Sequence, residues 1–184
     1  MTTHVDCIDN FETKALDTIR DLSTDAERVD IAVAFLSYRG WIELKPRLTT
    51  VVARGGRLRI IVRCDVRQNS AEAIEELFHL PHTQIAFGLA DVAFHPKDYL
   101  FHVDKKLTVL TSSANATYSG LTHNDEGGAI ITHPDATKDD AAHKAIGIFE
   151  RRWQSATLVD ERVLTAFKAS VGRKFQARES ARAR

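Results

Sequence analysis

The stretch Phe94-His95-Pro96-Lys97-Asp98-Tyr99-Leu100-Phe101, then Leu107 to Thr111, then Ser112-Ser113-Ala114-Asn115, decides how this chain is read. Ala93 to Phe101 and Leu107 to Thr111 are two strand-like runs joined by the polar link Val103-Asp104-Lys105-Lys106, the pattern of a β-hairpin. On a strand, His95 and Lys97 leave the same face about 6.6 Å apart and can straddle one phosphate. Ser113 and Asn115 repeat that spacing at the end of the adjoining strand. Four polar groups on one sheet face are an unusual way to build a core.

Working upstream, Val29 to Leu36 is a nearly continuous apolar run, Leu58 to Val62 is a second, and Gln84 to Phe87 a third. A helical pattern through Phe11, Ala15, Leu16, Ile19 and Leu22 precedes the first. Trp41 to Ala53 is expected to be helical only in part, because Pro46 lies inside it, and Gly55-Gly56 ends it. Ser70 caps a helix with Ala73, Ile74, Leu77 and Phe78 on one face. This is the grammar of βαβ units, so an α/β fold with a mixed or parallel sheet follows. Downstream, a polar loop leads to a strand at Gly128 to Thr132. Asp135 or Thr137 then caps a helix with Ala142, Ile146, Phe149 and Trp153, and Val163, Phe167 and Val171 mark the last one.

The chain has 184 residues, 43% of them apolar and 27% charged, with 9 Gly and 4 Pro. That composition describes one folded domain and excludes disorder, collagen-like repeats and a disulfide scaffold. Cys7 and Cys64 read as small buried hydrophobes. No apolar run is long enough to span a bilayer and the first residues are not signal-like, so a cytoplasmic protein without a membrane partner is expected. Twenty-five basic and 25 acidic residues cancel, but unevenly. Arg173, Lys174, Arg178, Arg182 and Arg184 against Glu179 make residues 173–184 a basic C-terminal tail. Residues 1–172, the single domain, are left with 20 basic and 24 acidic side chains. Overall charge therefore draws in no polyanion, and a nucleic-acid partner requires a local patch, the tail or another protein.

His-x-Lys alone decides nothing, since a chain with 8 His and 9 Lys holds it about 0.4 times by chance. The ordered set of His95-Pro-Lys97, Ser112-Ser113-Ala-Asn115 and Gly120-Leu121-Thr-His-Asn124-Asp-Glu126 is far more specific. In this set the sequence resembles the nuclease branch of the phospholipase D superfamily, in its His-Lys-Asn-Glu form. The likeness is sharp over about 35 residues and looser over 29–155. It implies a phospholipase D-like mixed β-sheet flanked by helices on both faces. Two positions depart from the common pattern: His102 stands where many members carry Asp, and Asp98 where an apolar residue is usual.

The resemblance implies catalysis by His95, Lys97, Asn115 and Glu126 without a metal or other cofactor. A phosphodiester repels nucleophiles until cations and donors hold its free oxygens, the task of Lys97 and Asn115 with Ser113 and Ser112 assisting. An imidazole attacks phosphorus to give a phosphohistidine, a second protonates the leaving oxygen, and Glu126 is expected to fix the tautomer of a catalytic His. One chain supplies one such motif, so a homodimer with the site across its two-fold axis is expected. Tyr38, Arg39, Asp65 and Arg67 follow the first two strands and are candidates to line a substrate groove. His79, His82, His102 and His123 lack metal-ligand spacing and read as solvated. The function expected is DNA cleavage as the nuclease part of a restriction or defence system. Any sequence preference then comes from a separate recognition or helicase/ATPase domain or subunit. Rival readings are a non-catalytic module of the same fold, kept for dimerisation or DNA binding, and a phosphodiesterase acting on RNA or lipid.

Overall fold

Strands β2 (Arg28–Val33), β3 (Arg57–Arg63) and β4 (Thr83–Gly88) are parallel neighbours, as the run of apolar residues and intervening helices requires. The computed structural model describes residues 2–89 and 93–182, with side chains through Lys174. Antiparallel strands β5 (Lys97–Val103), β6 (Lys106–Ser112) and β7 (Gly128–His133) extend the sheet beyond β2. Two edge strands complete it: β1 (His4–Ile8) beside β7, and the short β8 (Thr157–Leu158) beside β4. The order is β1-β7-β6-β5-β2-β3-β4-β8, a mixed eight-stranded sheet.

Helices α1 (Ala15–Leu22), α2 (Tyr38–Ala53), α3 (Ala71–Phe78), α4 (Tyr118–Thr122) and α6 (Glu161–Arg182) belong with one face of the sheet. Helix α5 (Asp140–Ser155) covers the other. Alternation sorts the strand residues: Val29, Ile31 and Val33 face the larger core, and Asp30 and Ala32 face α5. Burial of Ile31, Tyr99, Phe101, Trp41 and Phe149 to 2% exposure or less is the main force holding the layers together.

Several expectations need correction. Pro46 does not interrupt α2, which runs through it for 16 residues. It lies on the solvent face, as does Ile42, whose carbonyl loses its helical partner at an exposed position. The strand expected from Ala93 starts at Lys97, and His95 precedes it. The polar loop after Asn115 contains α4, capped by Thr117. Asp135 caps a short 3-10 turn, and the cap of α5 is Asp139, which accepts from Ala141 N and Ala142 N. Phe11 is 72% exposed and outside α1, whose N-cap Lys14 makes no side-chain bond; Asn10 Oδ1 accepts from Ala15 N at 2.7 Å. Cys7 and Cys64 are exposed, one on the outer edge strand and one in the loop after β3. Residues 173–182 continue α6, while 183–184 of the expected tail lie outside the described residues.

Candidate active site

Lys97 opens β5 beside the C-terminal end of β2, and β6 ends at Ser112 next to it. Open α/β sheets gather ligand groups at such strand ends. Asp104 closes the hairpin with φ of 50°, a left-handed conformation that Asp tolerates, and this fixes the register bringing Lys97 to the Ser112–Asn115 segment.

Lys97 is 9% exposed and its Nζ lies 2.5 Å from His95 Nδ1 and 3.2 Å from the His95 carbonyl. An ammonium only donates, so Nδ1 is placed to accept from Lys97. Burial pulls the Lys97 ammonium below the usual lysine range, and the nearby charges of Glu126 and Asp98 oppose that pull. His95 itself is exposed, with its ring edge-to-face on Phe35 at 5.8 Å.

Asn115 Oδ1 accepts from Phe35 N at 3.1 Å, which turns its amide and leaves Nδ2 without a partner among the described residues. Ser113 Oγ donates to Glu126 Oε2 and accepts from Gly127 N at 3.1 Å. Glu126 is 8% exposed, and its second oxygen accepts from Asn124 Nδ2 at 3.1 Å. Among the described residues of one chain, then, the carboxylate grips Ser113 and Asn124 and makes no hydrogen bond to His95. Ser112 Oγ accepts from Ala114 N at 3.2 Å, a turn contact at the strand end.

Groups outside the motif set this loop, and their roles were not legible from spacing. Tyr99, fully buried, donates to Ala114 O at 3.2 Å, and burial pushes its phenol far above the usual range. Asn10 Nδ2 donates to Gly120 O at 2.9 Å and to Asn124 O at 3.1 Å, tying the corner before α1 to the segment carrying Glu126. Gly40 lets α2 meet this loop, since a Cβ there would stand 2.2 Å from Ala116 O. The signal available for Asn10 was an isolated Asn before a helix; nothing marked Tyr99 beyond a strand aromatic.

The remaining candidates are dispersed. Tyr38 OH donates to Glu76 at 3.1 Å, and that hydrogen bond raises its phenol pKa. The Arg39 guanidinium lies 4.1 Å over the Tyr118 ring, which in turn packs 5.0 Å from His123. Asp65 accepts from Arg67 and from the Arg67 backbone amide, so it shapes its own loop. His102 is held by Arg28 and Asp30 at the far end of β5 and is not a free solvated ring. Asp98 points to the other face, accepting from Thr111 Oγ1 and from Arg152. Among the described residues no cluster of His, Cys, Asp or Glu could hold a metal ion. Nor is any described helix long and apolar enough to cross a membrane.

The family model described as cardiolipin synthase, PLD-like domain, matches residues 19–153. No curated protein matches the sequence significantly. Among solved structures, the chain is similar to NucT from Helicobacter pylori, with 18% identity and a TM-score of 0.66 over 85% of this chain and 99% of that one. It is similar to Nuc from Salmonella typhimurium, a phospholipase D family member, with 19% identity and a TM-score of 0.66 over 87% and 100%. Phosphatidylserine synthase from Haemophilus influenzae gives 14% identity and a TM-score of 0.68 over 99% of this chain and 46% of that one. At these identities the likeness is one of fold.

Proposed function

The chain belongs to the phospholipase D-like family, and from that premise we propose that it is a metal-independent phosphodiesterase cleaving DNA across a homodimer interface. One observation supports the reading: the exposed His95 imidazole, the buried Lys97 ammonium and an Asn115 amide N–H with no partner among the described residues lie at neighbouring strand ends, close to a buried carboxylate. A phosphate oxygen entering there draws the Lys97 ammonium off the ring and takes a second bond from Asn115 Nδ2. This neutralises the anion before attack.

A ring nitrogen of His95 then forms a bond to phosphorus while the bond to the leaving oxygen breaks, and that oxygen takes a proton from the His95 of a second copy, which acts as the imidazolium and is left neutral. Water attacks the phosphohistidine, the P–N bond breaks, and the second His95 accepts the water proton. Glu126 keeps Ser113 in place at the edge of this site, and its charge favours the ammonium form of Lys97. Donors that hold phosphate carry no sequence information, which suits the nuclease part of a restriction or defence system whose target is chosen by a separate domain or subunit.

The test is hydrolysis of bis-p-nitrophenyl phosphate and nicking of supercoiled plasmid, both in EDTA, by wild type and His95→Ala. Wild type is expected to turn over both, with the variant reduced at least about 1,000-fold. Equal rates for the two proteins would sink the mechanism and favour a non-catalytic module of the same fold.

A further inference from the structure

Helix α5 crosses its face of the sheet obliquely. It begins near the β5–β6 hairpin, where Ala136 N donates to Lys105 O, and ends beside β8, which pairs with the far end of β4. The crossing leaves one corner of that face open, at the N-terminal ends of β2, β3 and β4. A cleft of about 330 Å³ lies there, lined by Arg28, Arg57, Arg59, His82 and Gln84 among others.

Register explains the charge. Arg28 pairs with Arg57 across β2 and β3, and His82 continues the line, its carbonyl accepting from Leu58 N at 3.0 Å. Like charges directly opposite on neighbouring strands oppose sheet formation, so something must offset them. Of the two carboxylates at hand, Asp30 is shared between Arg28 and Arg59 and Glu150 pairs with Arg59, so neither reaches Arg57. Asp30 reaches Arg59 Nε at 2.8 Å and Nη2 at 3.0 Å, while Glu150 reaches Arg59 Nη2 at 2.6 Å and Nη1 at 3.1 Å. Arg28 Nε forms an ion pair with Asp30 Oδ2 at 3.0 Å but without hydrogen-bond alignment, which leaves this buried nitrogen without a hydrogen-bond partner among the described residues, and Arg28 Nη2 meets His102 Nε2 at 2.9 Å. Arg57 is exposed and makes no side-chain hydrogen bond or ion pair among the described residues. His82 holds a φ of 53° at the rim, a strained backbone for a residue that forms no part of a helix or strand.

We propose that this cleft is a second anion site, which takes a phosphate group between the guanidinium groups of Arg28 and Arg57. Two planar donors on adjacent strands, about 5 Å apart at the backbone, suit the tetrahedral oxygens of one phosphate. The site stands apart from His95: five residue steps along β2 separate Arg28 from Val33, the neighbour of Lys97, or about 17 Å. On the phosphodiesterase reading above, on which this extension alone rests, the group belongs to the nucleic-acid strand and the cleft is a second grip on its backbone. A small free phosphate compound would use the same donors.

The test compares Arg57→Glu and Arg57→Lys with the unaltered chain in three assays. Binding of inorganic pyrophosphate is read by calorimetry, and binding of a labelled single-stranded oligonucleotide by anisotropy in a His95→Ala background, so that the strand stays intact. Hydrolysis of bis-p-nitrophenyl phosphate reports on the catalytic end. Arg57→Glu is expected to weaken both anions about tenfold and to flatten the salt dependence of oligonucleotide binding by about one, with Arg57→Lys close to wild type. Hydrolysis stays unchanged. Loss of pyrophosphate binding alone would support the site and assign it to a free phosphate compound. Unaltered binding of both anions would overturn it. Absence of hydrolysis in every protein would count against the phosphodiesterase and leave the anion site standing on its own binding result.

Discussion

Lys97 and Asp98 are consecutive, yet they serve different faces of the sheet: one reaches His95, the other binds Thr111 and Arg152 under α5. The strand period of two explains this, and it makes Asp98 a brace between β5 and α5. A second single-residue decision is Asp30, 1% exposed beneath Arg28, Arg59 and His102. Burial pushes its carboxyl up, but the hydrogen bonds from His102 and Arg59 and the charge of Arg28 outweigh that and hold it below the usual carboxylate value. A depressed folded-state pKa means the stabilisation is complete above the unfolded value of 3.8 and drains away as pH falls through the folded one. Asp30→Ala is therefore expected to cost about 3 kcal/mol in urea unfolding at pH 7. The deficit relative to wild type should narrow when the same melts are run near pH 3.

At the scale of elements, α2 is the informative case. Its apolar positions Trp41, Leu44, Leu48, Val51 and Val52 recur with helical spacing and are all buried, so packing carries the helix across Pro46. Intrinsic propensity lost to that stripe. Pro46→Ala is expected to raise stability by up to about 3 kcal/mol, seen as a higher Tm, because it restores a helical hydrogen bond at an exposed position. No gain in Tm would mean that the ring's restriction of the unfolded chain matches the bond it removes. The opposite failure occurred at β1, which has too few apolar residues to announce itself: only Ile8 of its five is buried, and backbone pairing with β7 makes it a strand.

For the molecule as a whole, one exposed His95 per chain is the fact to which a functional account must answer. If each phosphodiester meets two copies of His95, wild-type chains mixed and re-equilibrated with His95→Ala chains should lose activity as the square of the wild-type fraction. A linear decline would show that one chain carries a complete site, and sedimentation of the unmixed protein as a monomer under assay conditions would agree with that. The open corner with Arg28 and Arg57 lies at the other end of the sheet, so the mixing result does not bear on it.

Local pattern alone determined the three parallel strands, the β5–β6 hairpin and the motif His95, Lys97, Ser113, Asn115 and Glu126, because each is written within a few residues as alternation, turn chemistry or fixed spacing. Tertiary structure decided what those residues touch. Glu126 closes on Ser113, Asn115 turns its amide toward the Phe35 backbone, Tyr99 and Asn10 brace the loop from distant segments, and Arg28 meets Arg57 across two strands. Such partners lie up to 114 residues apart in the chain, and only the register of strands and the packing of the loops beside them bring them together.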